Sequence, residues 1–551
     1  MMRRASGRRA VFALIAAGTL AVAGCGQDDA PPTKGGPVVM RRLSEEQYRQ
    51  SIADVFGPDI RVAGRFEPDV RKNGLLAVGA GAVTVTPSGF EQSDGRAITI
   101  AAQVVDKDHR DKLVPCRPAS AKAADDVCAA QFLRHYGHLL FRHPMREARL
   151  QQRVGDANRA TAVTGDFYSG LAFALAPMLY SPEFLFRMET SEPDPEHPGM
   201  ARLDAFSKAS RLSFLLWNTT PDDALLTAAE HGDLDTRGGL SRQVDRMLAS
   251  PRLESGVRAF VSDFLGFDEF DTLAKDPVLY PAFNQRVAVD AREQVLRTAI
   301  DQLVTRDGDY RDLFTTRRTF LTRSLGLVYD VPVRSETGWE PHEFPADDPR
   351  AGLLTEVGFT ALHSHPGRSS PTLRGKAIRE LVLCEPVPAP PANVNFALVQ
   401  DTTNPRFRTA RDRLTAHRAE PTCAGCHKIM DPVGLALENF DALGAYRAAE
   451  NGAPIDASGD LDGMKFTDPA GLGKAMHDNP ATVSCLVGSL YRYATSRAID
   501  RSEQPWQKWL EQRFAADGYR VPELLRRIAT SDAFFAIAPE RQSNPSKEAK
   551  K

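Results

Sequence analysis

The sequence predicts a mainly α-helical, multi-domain protein with a few short β-hairpins. Three observations carry this. Apolar residues recur at helical spacing along most of the chain, and the 38 prolines fall mostly between those stretches, as they do in proteins of many short helices. At 551 residues and 42% hydrophobic content the chain can bury several cores. Strict apolar/polar alternation is confined to runs of a few residues.

The first 24 residues read as an export leader. Arg3, Arg4, Arg8 and Arg9 precede an apolar run from Val11 to Ala23, and Val22-Ala23-Gly24-Cys25 has the form of a lipobox, with Cys25 as the acylated first residue of the mature chain. The apolar run is shorter than the roughly 20 residues a spanning helix needs. Residues 25–39 read as a flexible tether. Gly26 follows Cys25 where an aspartate often retains lipoproteins at the inner membrane, which favours the outer membrane within a cell-envelope location. Loss of the leader removes four arginines from a formal charge of −2, leaving a mildly acidic chain with no basic stripe for nucleic acid.

Beyond the tether, residues 40–105 read as a helical and extended module. Ser44-Glu45-Glu46-Gln47 is a capping box, Tyr48, Ile52, Val55 and Phe56 share a face, and Val83-Thr84-Val85-Thr86 within residues 75–90 suggests a short strand or extended loop. Residues 106–160 form a helical module bracketed by Cys116 and Cys128. Residues 165–335 read as a central helical domain: Phe206, Ala209, Leu212 and Leu216 fall at helical spacing, and Thr220-Pro221-Asp222-Asp223 starts a helix with acids at its positive end. Glu183 and Arg187, one turn apart, suggest an intrahelical pair. Residues 345–448 contain a Pro-rich stiff connector from Cys384 to Asn395, and 449–540 a hairpin near Gly452 to Phe466 and a helix capped by Asn479-Pro480. Residues 541–551 read as a disordered tail.

The sharpest chemical signal is Cys423-Ala-Gly-Cys426-His427. Covalent haem attachment requires two thiols one helical turn apart and an adjacent imidazole, so the run points to one haem c, with His427 as proximal ligand, and makes 345–448 a small cytochrome c-like helical segment. A distal ligand must approach from the other face of the porphyrin. Met430, on the same helical turn as His427, is poorly placed for that. His365 leads among the distal candidates, with Met464 as the alternative and Met476 and His477 behind, and an open iron position is a further option. Arg368 and Arg374 offer planar forks for haem propionates. With Cys25 assigned to lipid and Cys423 and Cys426 to haem, four of the seven cysteines remain, and an oxidising compartment suggests disulfides Cys116–Cys128 and Cys384–Cys485. The competing reading joins Cys423 and Cys426 with Cys384 and Cys485 in a four-thiolate zinc site, or closes a local disulfide. The chain carries no phosphate loop, nucleophile elbow or His-Glu-x-x-His motif.

Several stretches resemble one family. Arg41-Arg42-Leu43-Ser44-Glu45-Glu46-Gln47-Tyr48, Ser181-Pro182-Glu183-Phe184-Leu185-Phe186-Arg187, Ser210 to Trp217, Pro221-Asp222-Asp223, Ser369 to Gly375, Cys426 to Gly434 and Glu438-Asn439-Phe440-Asp441 resemble the planctomycete-type cytochrome-like proteins built around domains of unknown function 1592, 1588 and 1585, with the 1587 and 1595 modules N-terminal. The resemblance implies an exported, mostly helical protein with a c-type haem near its C-terminus, and no substrate. Three functional classes follow: electron transfer with a redox partner in the envelope, a haem-dependent oxidase or peroxidase with an open distal site, or a non-catalytic surface scaffold.

Overall fold

Side-chain caps set many of the helix boundaries. Ser44 and Gln47 form a reciprocal capping box at the start of helix Glu45–Phe56, Asp204 caps Ala205–Leu216, and Asp222 caps Asp223–Glu230. The structure, a computed structural model, describes residues 30–195, 201–389, 397–419 and 421–538, without the side chains of residues 421 and 422. The leader, Cys25, Pro390 and Pro391 of the connector, and the tail at 541–551 lie outside the described residues.

The chain is mainly α, with short two-stranded antiparallel sheets. Two hydrophobic cores organise it. The first is built by helices Glu45–Phe56, Pro87–Val104, Asp126–Phe141, Glu147–Thr164 and Phe167–Leu179, which bury Ile52, Ile100, Phe132, Leu140 and Leu175. The second runs without a break from Leu203 through Trp217, Phe314, Val357, Val433 and Tyr491 to Phe534. The central helices, the Cys-x-x-Cys-His segment and the C-terminal helices therefore share one apolar interior. Among the described residues no helix is long and apolar enough to cross a membrane.

Val83 to Thr86 take the second of their two expected forms, an extended loop, in which Thr86 accepts the amide of Gly89 and Pro87 occupies the first helical position, so this segment launches helix Pro87–Val104. Two local expectations change. The region around Gly452 to Phe466 holds two hairpins rather than one, Ala449–Glu450 with Ala453–Pro454 and Gly459–Leu461 with Met464–Phe466. Glu183 and Arg187 do not pair, since the helix ends at Leu185 and Arg187 enters strand Phe186–Arg187. Glu183 pairs with Arg149 instead.

The N-terminal strand Arg41–Arg42 pairs with Phe186–Arg187, and a buried ionic cluster fastens it. Glu189 accepts from Arg41 at 2.6 Å and from Arg211 at 2.6 and 2.7 Å, while Arg41 also donates to the Thr495 carbonyl at 2.8 Å. Arg211 also reaches the Phe534 carbonyl. One carboxylate thus ties the chain's beginning to its last helices. Burial alone would raise the Glu189 pKa, but the two guanidinium groups outweigh it and hold it down, to about 2. A depressed carboxylate contributes stability that is complete above its unfolded value near 4.5 and lost as pH falls towards 2. We predict that wild type loses up to about 3 kcal/mol through this group between neutral pH and pH 2. Urea unfolding across that range should show this component missing from Glu189→Gln; an identical pH dependence in the two proteins would refute it.

Candidate functional site

Two helices position the Cys-x-x-Cys-His run. Helix Pro421–Leu435 carries Cys423, Cys426 and His427 in its first half, and helix Pro371–Ala377, capped by Ser370 with Pro371 at its first position, crosses it. The crossing is backbone to backbone. A Cβ on Gly375 would stand 2.1 Å from the Met430 carbonyl oxygen, and one on Gly434 1.8 Å from that of Pro371. Just beyond the crossing helix, the Cys384–Cys485 disulfide ties the segment to helix Pro480–Thr495, and Cys116–Cys128 closes the N-terminal pair.

Arg374 locks the back of this site. Its guanidinium is completely buried and donates to the carbonyls of Leu437 and Phe440, both at 2.7 Å, Asp441 at 2.6 Å and Thr360 at 3.1 Å, and to Ser364 Oγ at 3.0 Å. Glu438, itself buried, stands 3.5 Å away and accepts from Ser369 and Arg447. Burial pushes the Arg374 pKa down to about 10. Every hydrogen bond of this fork goes to the protein, and Arg374 is not on the cavity wall, so its expected role as a propionate partner is corrected to an internal brace.

In front of the crossing lies a cavity of about 410 Å³, within the usual range for ligand sites. Leu373, Val387, Pro388, Val399, Leu414 and Met430 supply apolar wall. Cys423, Cys426 and His427 line it, with His365, Arg368, Arg413 and His417 as polar members. Neither Cys423 nor Cys426 is in a disulfide. Cys384 and Cys485 are consumed by theirs, which removes the four-thiolate zinc set. Among the described residues no group of three or more His, Cys, Asp and Glu stands together to hold a metal ion.

His427 is held by a residue that the sequence reading had not linked to it. Its Nδ1 stands 3.0 Å from both carboxylate oxygens of Asp431, which is completely buried and also accepts from Thr372 Oγ1 at 3.3 Å. A carboxylate only accepts, so Nδ1 carries the proton and the Nε2 lone pair is left available as a ligand. The signal lay in the spacing: Asp431 follows His427 by four residues, on the same helix face. His417, at the end of helix Ala410–His417, is a second addition; its ring centroid lies 5.0 Å from that of His427 at 79°, closer than two imidazoles bound on opposite faces of one iron.

The other expected residues divide. Arg368 is half-buried on the wall, its pKa lowered by burial and by Arg413, and it has no ion pair among the described residues. Arg413 is satisfied by Glu450 at 2.6 Å. The pKa of His365 is lowered by burial, then by Arg368 and Lys275. Lys275 donates to the carbonyls of Ala361, Ser364 and His365, fixing that loop, and burial brings its pKa down to about 7. Met464 and Met476 pack in the large core, and His477 pairs with Asp478 and Asp312, so none of the three lines the cavity. Asp222 caps its helix and grips Arg246 at 2.8 and 3.0 Å, a structural role.

Four family models match the chain, each described as a protein of unknown function: DUF1587 over residues 41–106, DUF1592 over 203–331, DUF1588 over 350–450 and DUF1585 over 462–534, roughly two thirds of the sequence together. The chain belongs to the planctomycete cytochrome-like family. Within this family member, every wall residue of the cavity falls inside the DUF1588 match. No curated protein and no solved structure matches the chain.

The helix crossing sets a prediction. Gly375→Ala forces the two backbones apart and should cost about 1–3 kcal/mol or more by overpacking, whereas Gly95→Ala, in an open helical position, should be neutral or stabilising by up to about 1 kcal/mol. Thermal unfolding of both variants checks this, and equal melting temperatures would contradict the crossing.

Proposed function

We propose that the chain is an exported, lipid-anchored c-type haem protein that transfers electrons in the cell envelope. The observation that supports this best is the cavity wall on which Cys423, Cys426 and a tautomer-fixed His427 stand together. In this reading Cys423 and Cys426 would hold the haem through thioether bonds, and His427 Nε2 would ligate its iron. Bound haem would supply a one-electron ferric/ferrous couple. Asp431 keeps the imidazole oriented and raises its donor strength. Arg368, without a carboxylate among the described residues, pairs with propionates. The apolar wall limits water around the couple. His365 is the distal ligand in this proposal, because it is on the wall and Met464, Met476 and His477 are not. Cys25 carries the lipid, the outer membrane is the favoured location, and a redox protein of the envelope is the partner.

The test is a pyridine haemochrome spectrum of the mature chain exported by a host with cytochrome c maturation machinery. Stoichiometric covalent haem is expected, lost on joint Cys423→Ala and Cys426→Ala substitution; a folded wild type without it would overturn the reading. Asp431→Asn should keep the haem and raise its midpoint potential, since a neutral amide gives His427 less electron-donating support than the carboxylate it replaces. Potentiometric titration measures this, and an unchanged potential would remove Asp431 from the account. His365→Ala should convert a low-spin ferric spectrum to high spin; a high-spin wild type would instead identify an open iron.

A further inference from the structure

A second cavity, remote in sequence from the first, opens where the N-terminal helix Glu45–Phe56 meets the central helices and Tyr493 of helix Pro480–Thr495. Its volume is about 1020 Å³. Charged groups surround it, and most of them are already paired: Arg42 holds Glu67 and Asp69, Arg49 holds Glu45, and Arg71 holds Asp263 and Asp268.

Arg187 is different. It lies on this cavity with 9% of its surface exposed. Each of the other buried arginines among the described residues donates to a carboxylate or a backbone carbonyl: Arg41, Arg42, Arg211, Arg379 and Arg413 find both, and Arg96, Arg142, Arg350 and Arg374 find carbonyls. Arg187 meets neither. Its Nη2 donates to Ser496 Oγ at 3.3 Å, its guanidinium carbon stands 5.0 Å from the centre of the Phe214 ring, and its Nε has no partner. Burial brings its pKa down to about 9, so it is charged at neutral pH. Withdrawing an ion from water costs several kcal/mol, and the opposing carboxylate in its field, Glu189, is hydrogen-bonded to Arg41 and Arg211 instead. The fold accepts that cost here at the floor of an open cleft.

We propose that Arg187 is the anion-binding floor of a second ligand site, which takes the carboxylate of a small, hydroxyl-rich monocarboxylic acid. The guanidinium fork matches a planar carboxylate. Tyr493, on the same wall and in the field of Arg187, adds a hydroxyl donor, and Arg292, whose Nε is also without a partner, adds a second cation. The rim limits what else the ligand carries. Glu46 and Asp271 line the cleft with Asn218, so a second negative charge is repelled while hydroxyl groups find acceptors. This site is independent of haem attachment.

The probe is glucuronate, titrated calorimetrically into the mature chain, with glucose and the dianion glucarate as comparisons. Glucuronate is expected to bind, glucose and glucarate to bind at least about tenfold more weakly. Arg187→Gln should lose at least about tenfold in affinity while its melting temperature stays close to that of wild type, because it removes a buried charge that no carboxylate hydrogen-bonds. Tyr493→Phe should weaken binding by a smaller factor and serves as the second variant should Arg187→Gln not fold. Absence of glucuronate binding to folded wild type, or unchanged affinity in either variant, would overturn the proposal.

Discussion

The arrangement of the candidate haem cavity depends on one buried cation. Arg374 leaves the crossing helix and fans into the carbonyls of Thr360, Leu437, Phe440 and Asp441. These groups come from the segment before the helix and the turn after the Cys-x-x-Cys-His helix, so a single fork fixes three pieces of chain that have no sheet to join them. Carbonyl acceptors solvate a buried guanidinium without needing a matched carboxylate, and Glu438 stands 3.5 Å away. The two glycines then let the helices touch through their backbones, and the thiols and His427 are presented from a rigid crossing.

The same physics recurs with opposite polarity at Glu189, where one carboxylate gathers two arginines and joins the first strand to the last helices. Between these clusters the large core is continuous from Leu203 to Phe534, so the DUF1592, DUF1588 and DUF1585 segments share one apolar interior. Movement of the Cys-x-x-Cys-His helix would have to repack Val433 and Phe440 against their neighbours in that core. A stiff surround suits a redox centre, which works best when little reorganises on electron transfer.

Much of the fold was legible because caps and apolar spacing are local. Ser44 with Gln47 and Asp222 announced their helices within four residues. Thr86-Pro87 was equally local, but the alternation of Val83 to Thr86 kept a strand open beside the extended loop. At the site, the Cys-x-x-Cys-His run and the even count of remaining cysteines were readable, whereas Arg374 was not: its partners lie up to 67 residues away, and an arginine beside a haem motif looks the same whether it faces a ligand or the interior. Asp431 was within reach of sequence reasoning through its four-residue spacing from His427. Met464 was the alternative distal candidate, yet its hairpin packs against the large core and not on the cavity wall.

The most direct test of the central claim is peptide mass spectrometry of the exported, mature protein after tryptic digestion. Cleavage after Arg418 and Lys428 releases one peptide containing both Cys423 and Cys426. The account predicts that this peptide carries one haem through two thioether bonds and shows neither free thiols nor an internal disulfide. Recovery of the unmodified or disulfide-closed peptide from correctly matured protein would contradict it.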